Sequence, residues 1–217
     1  MARRTKEAAQ ATREHLLDTA EQVFLERGLS RSSLQDIAAA AGLTRGAIYW
    51  HFADKLALFD AMLARVDLPL EQVLVQAEAR ALTTDGAGAD PLEALRTVAL
   101  APFELMQAQP RMRRVFTILL HRTEFVGELA PLAGRQNEAL RAFLLRLARL
   151  MEAARAAGTL GEGIDPHEAA VALLALIDGL LRLCTQADCS AMLMRTVPTA
   201  VDALLAGLRR RAPGRTA

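Results

Sequence analysis

Aromatic residues are scarce in this chain: seven Phe, one Tyr and one Trp among 217 residues. A core built on ring stacking is therefore excluded, and aliphatic side chains must fill the interior. Cysteine is scarcer still. Cys184 and Cys189 stand alone, and a CxxxxC pair without a nearby histidine fits free thiols in a reducing compartment better than a zinc site. The four histidines are scattered, so no metal and no cofactor is expected. Long apolar runs are missing too. The longest is AAVALLALI, residues 169–177, between Glu168 and Asp178, well short of the roughly 20 residues that span a bilayer. No apolar stretch follows the basic MARRTK, so no secretory signal is expected, and the protein is read as cytoplasmic and free of membrane. Excess charge is also absent. The formal net charge is +1, and any basic site must arise from local placement. There is no GxSxG, no phosphate-cradling glycine loop and no plausible Ser-His-Asp set, so enzyme activity is not expected.

What remains is rich in Ala, Leu, Arg and Glu and thin in β-branched residues, which predicts an all-α fold. Leu16, Leu17, Ala20, Val23 and Phe24 form one helical stripe that Gly28 ends. Ser32 or Ser33 can cap a second helix, with Leu34, Ile37, Ala38 and Ala41 on one face and Gly42 at its end. Thr44 can cap a third. Two short helices across a tight glycine-containing turn form a helix-turn-helix pattern. A fourth helix is expected from Asp54 to about Leu82, kinked at Pro69. TTDGAGADP (83–91) and GTLGEGIDP (158–166) read as loops. Further helices are expected near 91–109, 111–122, 131–157, 166–184 and 197–210. The organisation expected is a small head, 1–53, and a larger helical body, 54–217.

The aromatic residues are clustered where a core cannot use them all. In LTRGAIYWHFADK, residues 43–55, a helical wheel puts Ile48 and Phe52 on one face and Gly46, Tyr49 and Trp50 on the other. A helix that exposes its only Tyr and Trp beside a glycine suits a surface pressed against a partner. Gly46 lets that partner approach the backbone. Arg45 can fork onto guanine O6 and N7. Ser33 and Thr44 can join backbone N–H groups in holding phosphates, and Tyr49 and His51 can donate to phosphate oxygens. Lys55 in the first turn of a helix opposes the macrodipole unless an anion sits there. Arg3, Arg4 and Lys6 form a basic arm. Plain readings stay open beside these. Tyr49 or Trp50 could pack on the body, His51 could be a hydrogen-bonded structural histidine, and the arm could be a solvated terminus.

VFLERGLSRSSLQDIAAAAGLTRGAIYWHFADKLALF, residues 23–59, resembles the TetR family of bacterial transcriptional regulators. The resemblance implies a three-helix DNA-binding head on an all-α ligand-binding and dimerisation body. It implies that Ser33 holds a phosphate, that Thr44–His51 is the recognition helix, and that Lys55 clamps a phosphate. MARRTKEAAQATRE together with TRGAIYWHF is similar to the AcrR- and TtgR-like subgroup, repressors of multidrug efflux-pump operons. The partners implied are a near-palindromic double-stranded DNA operator, a hydrophobic small-molecule inducer and a second copy of the chain.

In the body, Leu95, Val98, Pro102, Phe116, Leu120, Leu140, Phe143, Leu147, Leu174 and Ile177 lie on apolar faces of successive helices, as pocket wall or as simple core. Pro102 falls mid-helix, where it should bend a wall of the pocket. Asp178 interrupts an apolar stripe and is expected to be buried with a partner, either an arginine across the dimer or a donor on a ligand. Dimer contacts are expected from Ala170, Leu173, Ile177, Leu180 and Cys184 on one helix, and from Val197, Ala200, Val201, Leu204 and Leu208 on the last. Pro198 suits the first turn of that last helix. A ligand-independent DNA-bound protein, an activator and a sensor of another signal are the alternatives to a drug-responsive repressor.

Overall fold

Left-handed glycines and polar caps set the helix boundaries in the first third of the chain. Gly28 (φ 83°) and Gly42 (φ 68°) take backbone conformations that a side chain would strain, and each lies just beyond a helix end. Ser33 and Thr44 cap the two helices that follow. A computed structural model describes residues 2–82, 90–124, 127–186 and 190–210. Among them the regular structure is helical apart from one isolated bridge between Leu160 and Arg209. The helices are α1 Ala2–Arg27, α2 Leu34–Ala40, α3 Arg45–His51, α4 Lys55–Ala81, α5 Pro91–Ala108, α6 Pro110–His121, α7 Ala130–Ala156, α8 Pro166–Thr185 and α9 Ser190–Leu208, with a 3-10 turn at Gly127–Leu129. The all-α expectation holds. Residues 3, 4 and 6, read as an arm, belong to the first turns of α1. Most of the 83–91 loop, and Cys189, lie outside the described residues.

The helices sort into two compact units. One is Met1–Leu68 with Pro110–Arg135; the other is Pro69–Gln109 with Gln136–Ala217. The expected division before residue 54 differs from this. The first half of α4 serves the head's interior, where Leu58, Phe59 and Met62 are fully buried.

In the first unit α1 packs on α2 and α6, and α2 on α3. Leu16, Leu17 and Phe24 of α1, Ile37 of α2, Ile48 of α3 and Ile118 of α6 complete an aliphatic core. The Phe24 and Phe59 rings meet edge to face at 6.3 Å. Burying one Leu, Ile or Phe contributes about 1.5–3 kcal/mol. At the side of this core lies a charged cluster. Glu21 is fully buried, and accepts from Arg65 Nη1 at 3.0 Å and from Arg114 Nε and Nη2 at 3.1 and 2.9 Å. Arg65 also reaches Asp18 at 2.8 Å and Glu14, and Arg111 reaches Asp18 at 2.6 Å. Three carboxylates of α1 thus meet one arginine of α4 and two of α6.

In the second unit α5, α8 and α9 pack together. Arg146 of α7 donates to Glu78 of α4 through Nε and Nη2 and to Glu71 through Nη1. Arg96 pairs with Asp202, and Arg209 with Asp90 and Glu93.

Three expectations for the body are corrected. The α8 stripe Ala170, Leu173, Ile177, Leu180 and Cys184 is buried inside the single chain. Val197 and Val201 of α9 are buried as well, whereas Ala200, Leu204 and Leu208 are half-buried and stay open to a partner. A wheel identifies an apolar stripe but not its partner, and here the partners are the chain's own helices. Asp178 is not buried: its side chain is half-exposed and accepts from Arg182 Nε, one turn on, at 2.9 Å. Finally, α9 begins at Ser190, so Pro198 lies inside it and not in its first turn. Pro69 and Pro102 lie inside α4 and α5, as expected.

Removing Glu21 would take from Arg114 the carboxylate it donates to, and would leave Arg65 buried with only Asp18 and Glu14. Glu21→Ala should therefore lower unfolding stability by about 3–5 kcal/mol, measured by urea titration at neutral pH. A loss below about 1 kcal/mol, the size of an exposed pair, would show the cluster to be incidental.

Candidate nucleic-acid interface

The α2–turn–α3 unit is fixed at both helix starts. Ser33 Oγ accepts the Asp36 N–H at 3.1 Å, while the Ser33 N–H donates to Asp36 Oδ2 at 2.9 Å, a reciprocal capping box. Thr44 Oγ1 accepts the Ala47 N–H at 3.2 Å. His15 of α1 lies with Nε2 3.1 Å from the Ala41 carbonyl, tying the turn to α1.

That frame sorts the side chains of α3 as the wheel predicts. Ile48 and Phe52 are buried. Tyr49 is 47% and Trp50 72% exposed, and Thr44, Arg45 and Gly46 are exposed beside them. A Cβ built on Gly46 would meet only Thr44 Oγ1, at 3.9 Å. Packing within the chain therefore does not require glycine there. The Arg45 guanidinium lies over the Tyr49 ring, 5.4 Å from its centroid, which orients the fork without burying it. Trp50 stands edge-on to His51 at 4.5 Å. Burial, and after it the nearby Arg13 charge, lower the His51 pKa, which favours the neutral ring.

Two side chains met other surroundings than expected. Lys55 is 7% exposed, and its ammonium donates to the Leu29 and Ser32 carbonyls. The ammonium thus faces the α1–α2 turn. Ser33 is exposed as expected, but its hydroxyl also donates to Asp36 Oδ2 at 2.6 Å. An anion arriving at α2 meets a carboxylate first. The Ser33 hydroxyl and N–H, with Arg27 close by, hold the Asp36 carboxyl below its ordinary range. Sequence reading passed over Asp36, although SxxD is a capping signal. It also passed over Arg13, whose guanidinium lies 5.1 Å from the Phe52 centroid at the far end of α3; no local pattern marks that contact.

The expected ligand-site residues fall in both units. Leu95, Val98, Pro102, Leu147 and Ile177 are buried in the second unit, with Phe143, Leu174 and Asp178 half-buried there. Leu140 is half-exposed, at 49%. Phe116 and Leu120 belong to the first unit. A groove of about 480 Å³ in the second unit is lined by Leu92, Glu93, Arg96, Asp202, Leu205, Ala206, Arg209 and Arg210, none of them expected. Among the described residues no helix is long and apolar enough to cross a membrane.

Comparison with known proteins agrees with this geometry. Residues 16–62 match the profile of bacterial regulatory proteins of the tetR family, and residues 90–209 that of the MAATS-type transcriptional repressor C-terminal region. The chain is 42% identical over 179 residues to the HTH-type transcriptional repressor BepR of Brucella suis biovar 1 (strain 1330), covering 82% of this chain and 83% of BepR. Among solved structures it is similar to NalD, the secondary repressor of the MexAB-OprM multidrug efflux pump in Pseudomonas aeruginosa, with TM-score 0.80, 35% identity and coverage of 95% and 100%. It is also similar to a SmeT–triclosan complex, with TM-score 0.78, 34% identity and coverage of 95% and 97%. SmeT is the repressor of the Stenotrophomonas maltophilia multidrug efflux pump SmeDEF.

His51 gives a pH test. Its folded pKa lies below the ordinary histidine value of about 6.5, so the neutral ring contributes stability that is complete above that value. The contribution declines as pH falls toward the folded pKa and then levels off. Between about pH 8 and pH 5.5, wild type should lose more thermal stability than His51→Gln. A pH-independent difference between the two would refute the assignment.

Proposed function

The chain belongs to the TetR family of bacterial transcriptional regulators, and from that premise we propose that it represses a multidrug efflux-pump operon and leaves its operator when a hydrophobic small molecule binds. The observation that carries this reading is α3: a capped helix with a dry face of Ile48 and a wet face of Arg45, Gly46, Tyr49 and Trp50. Such a helix fits a major groove about 12 Å wide. Arg45, pre-oriented by Tyr49, reads a guanine edge. Trp50 supplies apolar contact to a base. The hydroxyls of Thr44 and Tyr49, and His51, face phosphates.

The regulator acts as a homodimer in the cytoplasm on a near-palindromic site. With the expected α8 stripe turned inward, the dimer surface falls to the outward faces of the same two helices, where Val171, Leu183 and Met192 are exposed. An inducer binds within the second unit, against Val98, Pro102, Phe143, Leu147 and Leu174. Efflux control is supported by BepR, NalD and SmeT together, and a hydrophobic inducer by triclosan in the SmeT complex. Release then follows if the ligand prefers the arrangement that binds DNA poorly, by as much as its two affinities differ.

The test is fluorescence anisotropy with DNA from directly upstream of the gene, at fixed salt, with and without triclosan and hydrophobic antibiotics. Specific binding released by some compounds is the expected result. Binding that no compound disturbs would remove the inducer from the proposal, and no specific binding would remove the operator. Arg45→Ala should weaken operator binding by about 30-fold or more, because a bidentate base contact of about 1–3 kcal/mol is lost in each of the two half-sites. It should also relax discrimination at a single base pair of each half-site. An equal loss on operator and random DNA would instead make Arg45 a phosphate contact.

A further inference from the structure

A cation near a nucleic-acid surface is ordinarily held out toward it, but Lys55 is turned in. Its Nζ donates to the Leu29 carbonyl at 3.1 Å and to the Ser32 carbonyl at 2.9 Å. Both carbonyls lie between the end of α1 and the start of α2, where no helix supplies a donor; the Leu29 carbonyl also accepts the Ser32 N–H, at 3.4 Å. Buried carbonyls need partners, and an ammonium with three donors can gather two at once. The two carbonyls also offset what a cation in a first helical turn costs against the macrodipole.

The turn that Lys55 grips is tied on its other sides. Ser32 Oγ donates to the Gly28 carbonyl at 2.7 Å, and the Leu29 N–H donates to the Arg122 carbonyl at 2.9 Å. The Leu29 side chain is fully buried and Ser32 nearly so. Ser33, the cap of α2, follows directly. Whatever sets the Ser32 carbonyl therefore sets where α2 begins, and α2 packs on α3.

We propose that Lys55 is a positioning residue: it pins the α1–α2 turn to the start of α4, and so fixes how α2 and the recognition helix are presented, without itself meeting a phosphate. To reach a phosphate it would have to abandon two carbonyls in a buried turn. The proposal rests on the DNA-binding reading above.

Salt dependence separates the two roles. Each phosphate that a lysine neutralises adds about 0.9 to the slope of log affinity against log salt. For full-length Lys55→Met with upstream operator DNA, we expect affinity to fall by about tenfold or more, as for loss of a charge-assisted hydrogen bond. The salt slope should match wild type. In the free protein, amide hydrogens of residues 29–34 should exchange faster. Lys55→Gln keeps a neutral donor for the carbonyls and should recover part of the affinity; if Lys55→Met does not fold, Lys55→Gln carries the slope comparison. A slope shallower by about 1.8, one phosphate in each half-site at about 0.9 each, would overturn the proposal in favour of a phosphate contact. Unchanged affinity with a lower unfolding midpoint would overturn it in favour of a purely structural lysine. Wild-type protein that binds no operator would overturn the DNA reading and this proposal together, whereas the two preceding outcomes leave the DNA reading intact.

Discussion

The head depends on one buried carboxylate. Glu21 is the single fully buried acidic group among the described residues, and a carboxylate out of water survives only if its lone pairs are filled. Arg65 and Arg114 fill them, and Arg111 Nε lies 3.2 Å away without the alignment of a hydrogen bond. Aliphatic packing tolerates small slides of one helix on another. A bidentate guanidinium does not. The cluster therefore fixes the register of α1 against α4 and α6, which side chains such as Leu16, Leu58 and Ile118 leave loose. It also explains why residues 110–135 belong with the head although some forty residues of the other unit intervene.

With that register set, the remaining order in the head is polar and local. One capping box, a threonine cap, two left-handed glycines and the Lys55 contacts place α2 and α3 without a large core. A seven-residue helix is too short to hold its shape alone. Thr44 Oγ1 and the buried Ile48 hold α3 from within, so its outer face needs no packing of its own. Gly46, Tyr49 and Trp50 are then available to a partner.

That outer face was legible in the sequence for the same reason. The chain's only Tyr and Trp sit on the side of a short helix opposite Ile48 and Phe52, and no interior explanation absorbs them. Ser33 and Thr44 were legible because capping depends on residue type within a few positions. The stripes of α8 and α9 were legible as stripes only. Periodicity names the apolar side of a helix, but a chain and its copy offer that side equally apolar neighbours. Asp178 misled because a wheel cannot see Arg182 reaching back one turn to hold it at the surface. The inward turn of Lys55 was not legible because the groups it meets are carbonyls, which every residue has and no sequence displays. Pro198 misled because proline is a weak boundary marker inside a segment otherwise apolar at helical spacing.

The backbone crosses between the two units at three places: Leu68–Pro69, Gln109–Pro110 and Arg135–Gln136. The first and last lie inside α4 and α7. Pro69 has no N–H, so the carbonyl of Arg65 lacks its donor four residues on, and α4 is weakest at the residue whose side chain holds Glu21. A ligand that acts in the second unit on operator affinity must do so by favouring one of two states. A change in α4 at Pro69 reaches the Arg65 guanidinium within one helical turn, and through Glu14, Asp18 and Glu21 it reaches α1. In the proposed mechanism, the helix that would carry the signal and the ion cluster that fixes the head thus share one residue. A rigid head and a regulated head do not conflict, because the register of α1 is set by the side chain of the same arginine whose backbone stands at the break.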